Sequence, residues 1–172
     1  MLRSSPAKAE VAASARGLVR RAFNGSLATI DRGNGYPYVS LVTLATDAAG
    51  APTVLISKLA RHTANLAKDG RASIMVEETG ALADPLQGAR LTIYGVVAPN
   101  TDEGVRRRFL ARHPEASLYA DFPDFAFGAW RSRAPTTSAA SDASSILVRT
   151  TFSCRFETPR PSLRASLALS ST

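Results

Sequence analysis

The chain of 172 residues contains one cysteine, Cys154, and two histidines, His62 and His113. A single cysteine forms no internal disulfide, which excludes a disulfide-stapled secreted scaffold and makes a reducing, cytoplasmic compartment the expectation. Neither histidine has a Cys, His or carboxylate at ligand spacing, so both read as helix-end residues rather than metal ligands. No apolar run reaches the roughly eighteen residues of a membrane-spanning helix. The N-terminus carries charges without a continuous apolar stretch, unlike a secretion signal. G-x-S-x-G is absent, and with it the nucleophile elbow of a serine hydrolase. Gly33-Asn34-Gly35 lacks the strand-then-helix setting of a dinucleotide fingerprint and reads as a hairpin turn.

What is present suits one packed domain, with a hydrophobic share of 45%. The net charge of +7 raises the question of nucleic acid, and its distribution answers it. Residues 1–128 hold 15 Lys+Arg against 12 Asp+Glu, a balance of +3, and residues 129–172 add six arginines against Asp142 and Glu157, another +4. More than half of the excess lies in the last quarter of the chain and in no recognisable binding motif, so no nucleic-acid partner is expected.

Ser5-Pro6 is a helix entry, and Ala15, Leu18, Val19, Ala22 and Phe23 recur at helical spacing up to Asn24-Gly25. Strand-like segments follow at 26–31, at 36–46 ("YPYVSLVTLAT") and at 53–57 ("TVLIS"). A helix over 59–68 ends at Asp69-Gly70, strands resume at 71–78 and 89–99, and a second helix near 101–112 turns Val105, Phe109 and Leu110 inward before His113-Pro114. Hairpins dominate and nothing alternates as a parallel sheet would. The expected class is mainly β (α+β): a small antiparallel, Greek-key-like β-barrel with peripheral helices.

The stretch 56–73, "ISKLARHTANLAKDGRAS", places Ser57, Lys58, Arg61, His62, Thr63 and Asn65 where a strand turns into a helix. A helix start offers unpaired N–H groups and the positive end of its dipole, and Arg61 and Thr63 add donors suited to phosphate. On residues alone the stretch reads first as a solvated helix N-terminus, as helix ends commonly do, and second as a phosphate site.

Residues 35–76, with "ADPLQGARLTIYGVVAP" and "RFLARHPEASLYADFPDFAF" after them, resemble the pyridoxamine 5'-phosphate oxidase-related FMN-binding split barrels, in particular their haem-utilisation (HugZ-like) branch. The resemblance spans about residues 8–127, and "S-x-L-A-x-H-T-x-N-L" is its most specific part. It implies a six-stranded split barrel that forms a homodimer and binds FMN at the subunit interface. Val39, Ser40 and Leu41 would then run beside the flavin, Ile56 and Ser57 would follow on the next strand, and Arg61, His62 and Thr63 would meet the phosphate, with Arg90 a weaker candidate. Tyr38 stands where oxidases that make pyridoxal phosphate carry a phosphate-binding arginine, and a phenol cannot replace that charge, which argues against vitamin B6 chemistry.

All eleven glycines lie within residues 1–128, whereas residues 129–172 hold ten serines, six threonines and no lysine. The expected organisation is therefore an FMN-binding split-barrel domain over 1–127 with its last strands missing or altered, and an atypical tail over 128–172. Codons for Ala139-Ala140-Ser141-Asp142-Ala143, read one base back, permit the Gly-Gly-Phe-Gly-Arg motif with which the family continues. One base missing near the Phe127 codon is the corresponding expectation. The implied function is an FMN flavoprotein, an oxidoreductase acting on a small-molecule substrate or electron donor. The alternatives are a non-enzymatic haem or flavin carrier and an inactive truncated product. A flavin carries its own redox chemistry, so the absence of an acid–base pair excludes none of them.

Overall fold

The computed structural model describes residues 6–80 and 82–131. Helix α1 (Pro6–Arg21) leads into β1 (Asn24–Ile30), β2 (Pro37–Thr43), the two-residue β3 (Ala45–Thr46) and β4 (Pro52–Ser57). Helix α2 (Arg61–Lys68), β5 (Arg71–Glu78), β6 (Ala89–Pro99), α3 (Glu103–Arg112) and β7 (Phe125–Arg131) complete the described chain. The seven strands form one sheet in the order β2-β1-β5-β6-β7-β4-β3. Every neighbouring pair is antiparallel. The expected class is the one found.

Residues 36–46, read from sequence as one strand, are β2 and β3 separated by Leu44 alone. These two strands are the opposite edges of the sheet, so the sheet must curl until its edges meet in a split barrel. Leu44 is fully buried at this corner. Its amide donates to the Phe23 carbonyl at 2.8 Å, and its carbonyl lies 2.8 Å from Nε2 of the buried His113. Before Leu44 the segment pairs with β1, and after it with β4.

The barrel interior holds Leu27, Val42, Val54, Ile56, Ile74, Leu91, Ile93 and Trp130, and α1 adds Ala15, Leu18 and Val19. A second cluster lies outside β4, where Leu55 meets Phe109 of α3 and Ala116 of the turn Pro114–Leu118, with Phe127 of β7 against them. β4 is thus covered on both sides, which is why "TVLIS" shows no alternation. β7 sits between β6 and β4 and meets both clusters, Trp130 facing the interior and Phe125 and Phe127 the outer one. Its "FAFGAW" has no period-2 signal either, and the sequence reading assigns no strand there.

β7 runs on through Gly128–Arg131, which pair with β6. The remainder of the atypical segment lies outside the described residues. α2 begins two residues later than the sequence suggests, because Ser57 to Ala60 form a turn closed by Ala60 N donating to Ser57 O at 3.1 Å. α3 starts at Glu103, where the Asp102 carboxylate caps Gly104 N at 2.6 Å. Among the described residues no helix is long and apolar enough to cross a membrane.

Leu44→Ala removes the buried side chain at the corner. It is expected to cost about 2–5 kcal/mol of stability, seen as a lower urea midpoint. A change under about 0.5 kcal/mol, the size of an ordinary surface substitution, would show that the corner does not anchor the barrel.

Candidate functional site

The polar stretch that enters α2 is folded mostly onto itself and onto the barrel end. Thr63 Oγ donates to the Ser57 carbonyl at 2.6 Å, and Ser57 Oγ donates to Asp124 at 3.0 Å while accepting from Leu59 N at 3.1 Å. Lys58 reaches the Pro123 carbonyl at 2.6 Å. Arg61 Nε donates to Asp31 at 2.5 Å, and its guanidinium lies 5.4 Å from the Tyr38 ring centre. Ser40 Oγ and His62 Nδ1 are 3.0 Å apart.

The fully buried Asn65 donates to Thr29 Oγ at 3.0 Å and accepts from Arg32 N at 3.0 Å. α2 therefore plugs the barrel end, and Asn65 is its keystone. A buried amide with both ends satisfied contributes position as well as energy.

The electrostatics agree with that role. Asp31 is only 5% exposed, and the bond from Arg61, then the backbone N–H of Gly33, hold its carboxyl below the ordinary range. The pair carries no net charge, and the Thr63 proton is already spoken for by Ser57. What remains open to an anion is the helix start itself, since Ala60 supplies no side-chain cap, together with the rest of the Arg61 guanidinium.

A second region lies on the outward face of β2-β1-β5-β6. Strand register sets Tyr94 opposite Ser73, Ser73 opposite Ala28, and Ala28 opposite Val39, so two small side chains occupy the middle of a row with large ends. The result is a trough of about 580 Å³, lined in part by Ala28, Ile30, Pro37, Ser73, Tyr94 and Val96. Arg71 and Arg131 stand at one end of it. Arg71 is paired with Asp69 at 2.6 Å, whereas Arg131 takes part in none of the ion pairs among the described residues. The next row, Met75, Ser26 and Leu41, continues the apolar surface. Val39 is exposed at 61%, Leu41 at 75%, Met75 at 40% and Tyr94 at 46%.

The family described as "CREG, beta-barrel" matches residues 6–130, almost the whole described fold. The chain belongs to the CREG β-barrel family. Over 117 residues it is 32% identical to the non-canonical heme oxygenase HOZ of Arabidopsis thaliana chloroplasts, covering 63% of this chain and 35% of that protein. A heme binding protein from Mycobacterium smegmatis is 36% identical with a TM-score of 0.65, over 77% of this chain and 53% of that one. A pyridoxamine 5'-phosphate oxidase-like protein from Listeria innocua shares the fold alone, with a TM-score of 0.55 at 15% identity over 72% and 94% of the two chains. The split barrel implied by the resemblance is therefore the family's fold. The chain spans about a third of the curated relative it matches and about half of the mycobacterial one.

Within this CREG barrel the residues singled out from sequence separate into groups. Arg61, His62 and Thr63 come together with Ser57 and Ser40 at the barrel end. Val39 and Leu41, on the same strand as Ser40, point the other way, to the outward face. Ile56 is buried in the interior core. Arg90 is far along β6, opposite Glu77, and donates to the Leu86 and Gly88 carbonyls. The trough residues escaped sequence reading, although Ala28 and Ile30 of β1 and Met75 of β5 make their strands apolar on both faces. That is the signal a one-sided sheet would not give.

Burial lowers the pKa of His62, so below its ordinary value near 6.5 the unfolded chain takes up a proton that the fold resists. Stability is then complete above about pH 6.5 and falls as the pH drops below it. The urea midpoint is expected to be lower at about pH 5.5 than at about pH 7.5, and His62→Gln should narrow the difference. Equal midpoints in the unaltered chain would contradict this account. Asp31 titrates below its ordinary 3.8 and does not act in this window.

Proposed function

We propose that this CREG barrel is a haem-binding protein that takes haem in the outward trough, with a second copy of the chain covering the exposed apolar face. The observation that carries the reading is the trough itself. It is apolar along its length, has two arginines at one end, and falls within the ~300–1,000 Å³ typical of cofactor sites. Haem is a flat apolar ring with two carboxylates on one side, and this arrangement suits it. The matches to a heme oxygenase and a heme binding protein, both above 30% identity, support the same reading.

Each residue has a part that its placement supports. Ala28 and Ser73 leave room for the ring, and Ile30, Val39 and Tyr94 exclude water beside it. Arg131, the trough cation without an acidic partner among the described residues, offers donors to carboxylates, whereas Arg71 would share its guanidinium with Asp69. Bound haem would supply a redox-active iron, and the chain would supply orientation and a dry surface. Val39, Leu41 and Met75 form an exposed apolar surface of the kind that marks an interface, which supports the homodimer.

FMN is the second reading, favoured by the uncapped start of α2, where Arg61 and Thr63 would hold a phosphate. Against it stand the neutral Arg61–Asp31 pair and the committed Thr63 hydroxyl. In that reading the chain would be an FMN oxidoreductase.

One pair of titrations separates the two. Haem added to the full chain is expected to give a saturable Soret change, weakened at least about tenfold by Ala28→Trp, which fills the trough and removes roughly 1.4 kcal/mol or more of binding. FMN fluorescence is expected to show no saturable quenching. Quenching that vanishes in Arg61→Ala/Thr63→Ala, with no Soret response, would replace haem by FMN.

A further inference from the structure

Resting on the haem reading, the question becomes which side chain of this chain can reach the iron. Among the described residues no group of three or more His, Cys, Asp and Glu side chains converges. His113 is 3% exposed, and its Nε2 is held by the Leu44 carbonyl at the barrel corner. His62 uses Nδ1 on Ser40, and its Nε2 is buried at the barrel end. Met75 is on the outward face and is not a lining residue of the trough. Among the described residues the trough has no His, Cys or Met in its lining, and Tyr94 is the one lining side chain of a type that ligates haem iron.

The position of Tyr94 adds to this. It stands on β6 directly opposite Ser73, with Ala28 beyond, so the side chain borders the floor where the small residues make space. Arg71 pairs with Val96 two residues along β6, and Val96 pairs in turn with Arg131. Arg131, which has no acidic partner among the described residues, thus shares the trough with the phenol, and Arg71 stands beside it paired with Asp69.

We infer that Tyr94 is the axial iron ligand of this chain. The phenol gives its proton to solvent, and its anionic oxygen occupies an open axial position of ferric haem. An anionic oxygen is a hard donor and prefers the ferric to the ferrous ion, so reduction by an external one-electron donor weakens the bond without breaking any other. The trough then holds haem tightly when oxidised and loosely when reduced, as a carrier that releases its load on reduction would.

The test uses the full 172-residue chain and ferric haem, with absorbance and resonance Raman spectra as readouts. The unaltered chain is expected to show the vibrational bands of an iron-bound phenolate. Tyr94→Phe should keep a Soret change but lose those bands, with affinity lower by on the order of tenfold. Tyr94→His should restore affinity with an imidazole-type spectrum, which a merely structural role for Tyr94 would not produce. A spectrum unchanged in Tyr94→Phe would overturn the assignment while leaving haem binding intact. No Soret change in any variant would instead overturn the haem reading on which the assignment stands. His62→Gln is the control, expected to leave the bands in place, and their loss there would move the ligand to the barrel end.

Discussion

The architecture depends on how Leu44 is held. Its amide is fixed by Phe23 at the end of α1, and its carbonyl by His113 at the end of α3. Both peptide groups are buried, where an unmade bond costs about 1–3 kcal/mol, so the chain has little freedom to straighten. Bending there lets one segment serve as both edges of the sheet, and the curl brings β2 close to β4. Once that geometry is set, β1 and β5 must lie at the centre of the β2-β1-β5-β6 half. Their small outward residues, Ala28 and Ser73, then face outward side by side.

The sheet divides its side chains between an inward and an outward use. Side chains that face inward are spent on the fold: Asn65 with Thr29, Arg61 with Asp31, His62 with Ser40. Those that line the outward trough from the same strands are mostly small or apolar, with Arg71 paired to Asp69 at its edge. An inward cluster that is already neutral and bonded offers a ligand little, because binding would first have to break what is there. The outward trough has less to give up: water, and at its edge the surface pair of Arg71 with Asp69.

Much of the fold was legible because it obeys simple periodicities. α1 shows an apolar face in Ala15, Leu18 and Val19, and β5 and β6 alternate in burial through Ala72, Ile74 and Val76 or Leu91 and Ile93. β7 was not legible, because a strand covered on both sides writes no alternation. The break at Leu44 was hidden because a change of partner leaves no local mark in a continuous β-rich run. At the site, the polar density of 56–73 was visible, but its use was not. Whether Arg61 faces an anion or Asp31 depends on a turn thirty residues upstream in the chain. The trough could not be read either, since Ala28 and Ser73 become neighbours only through strand pairing.

The pairing of β4 with β7 has a consequence for how the chain is made. Val54 meets Gly128, and Leu55 meets Phe127, so a strand completed in the first third of the sequence waits for a partner that emerges much later. At translation rates of about 5–20 residues per second the delay is on the order of ten seconds. During that time one of the most apolar strands of the chain has an open flank. Long-range pairing of this kind slows folding and leaves the nascent chain dependent on chaperones or on temporary cover. The strand that gives the finished barrel its two-sided core is therefore the strand most exposed to mispairing while the barrel is being built.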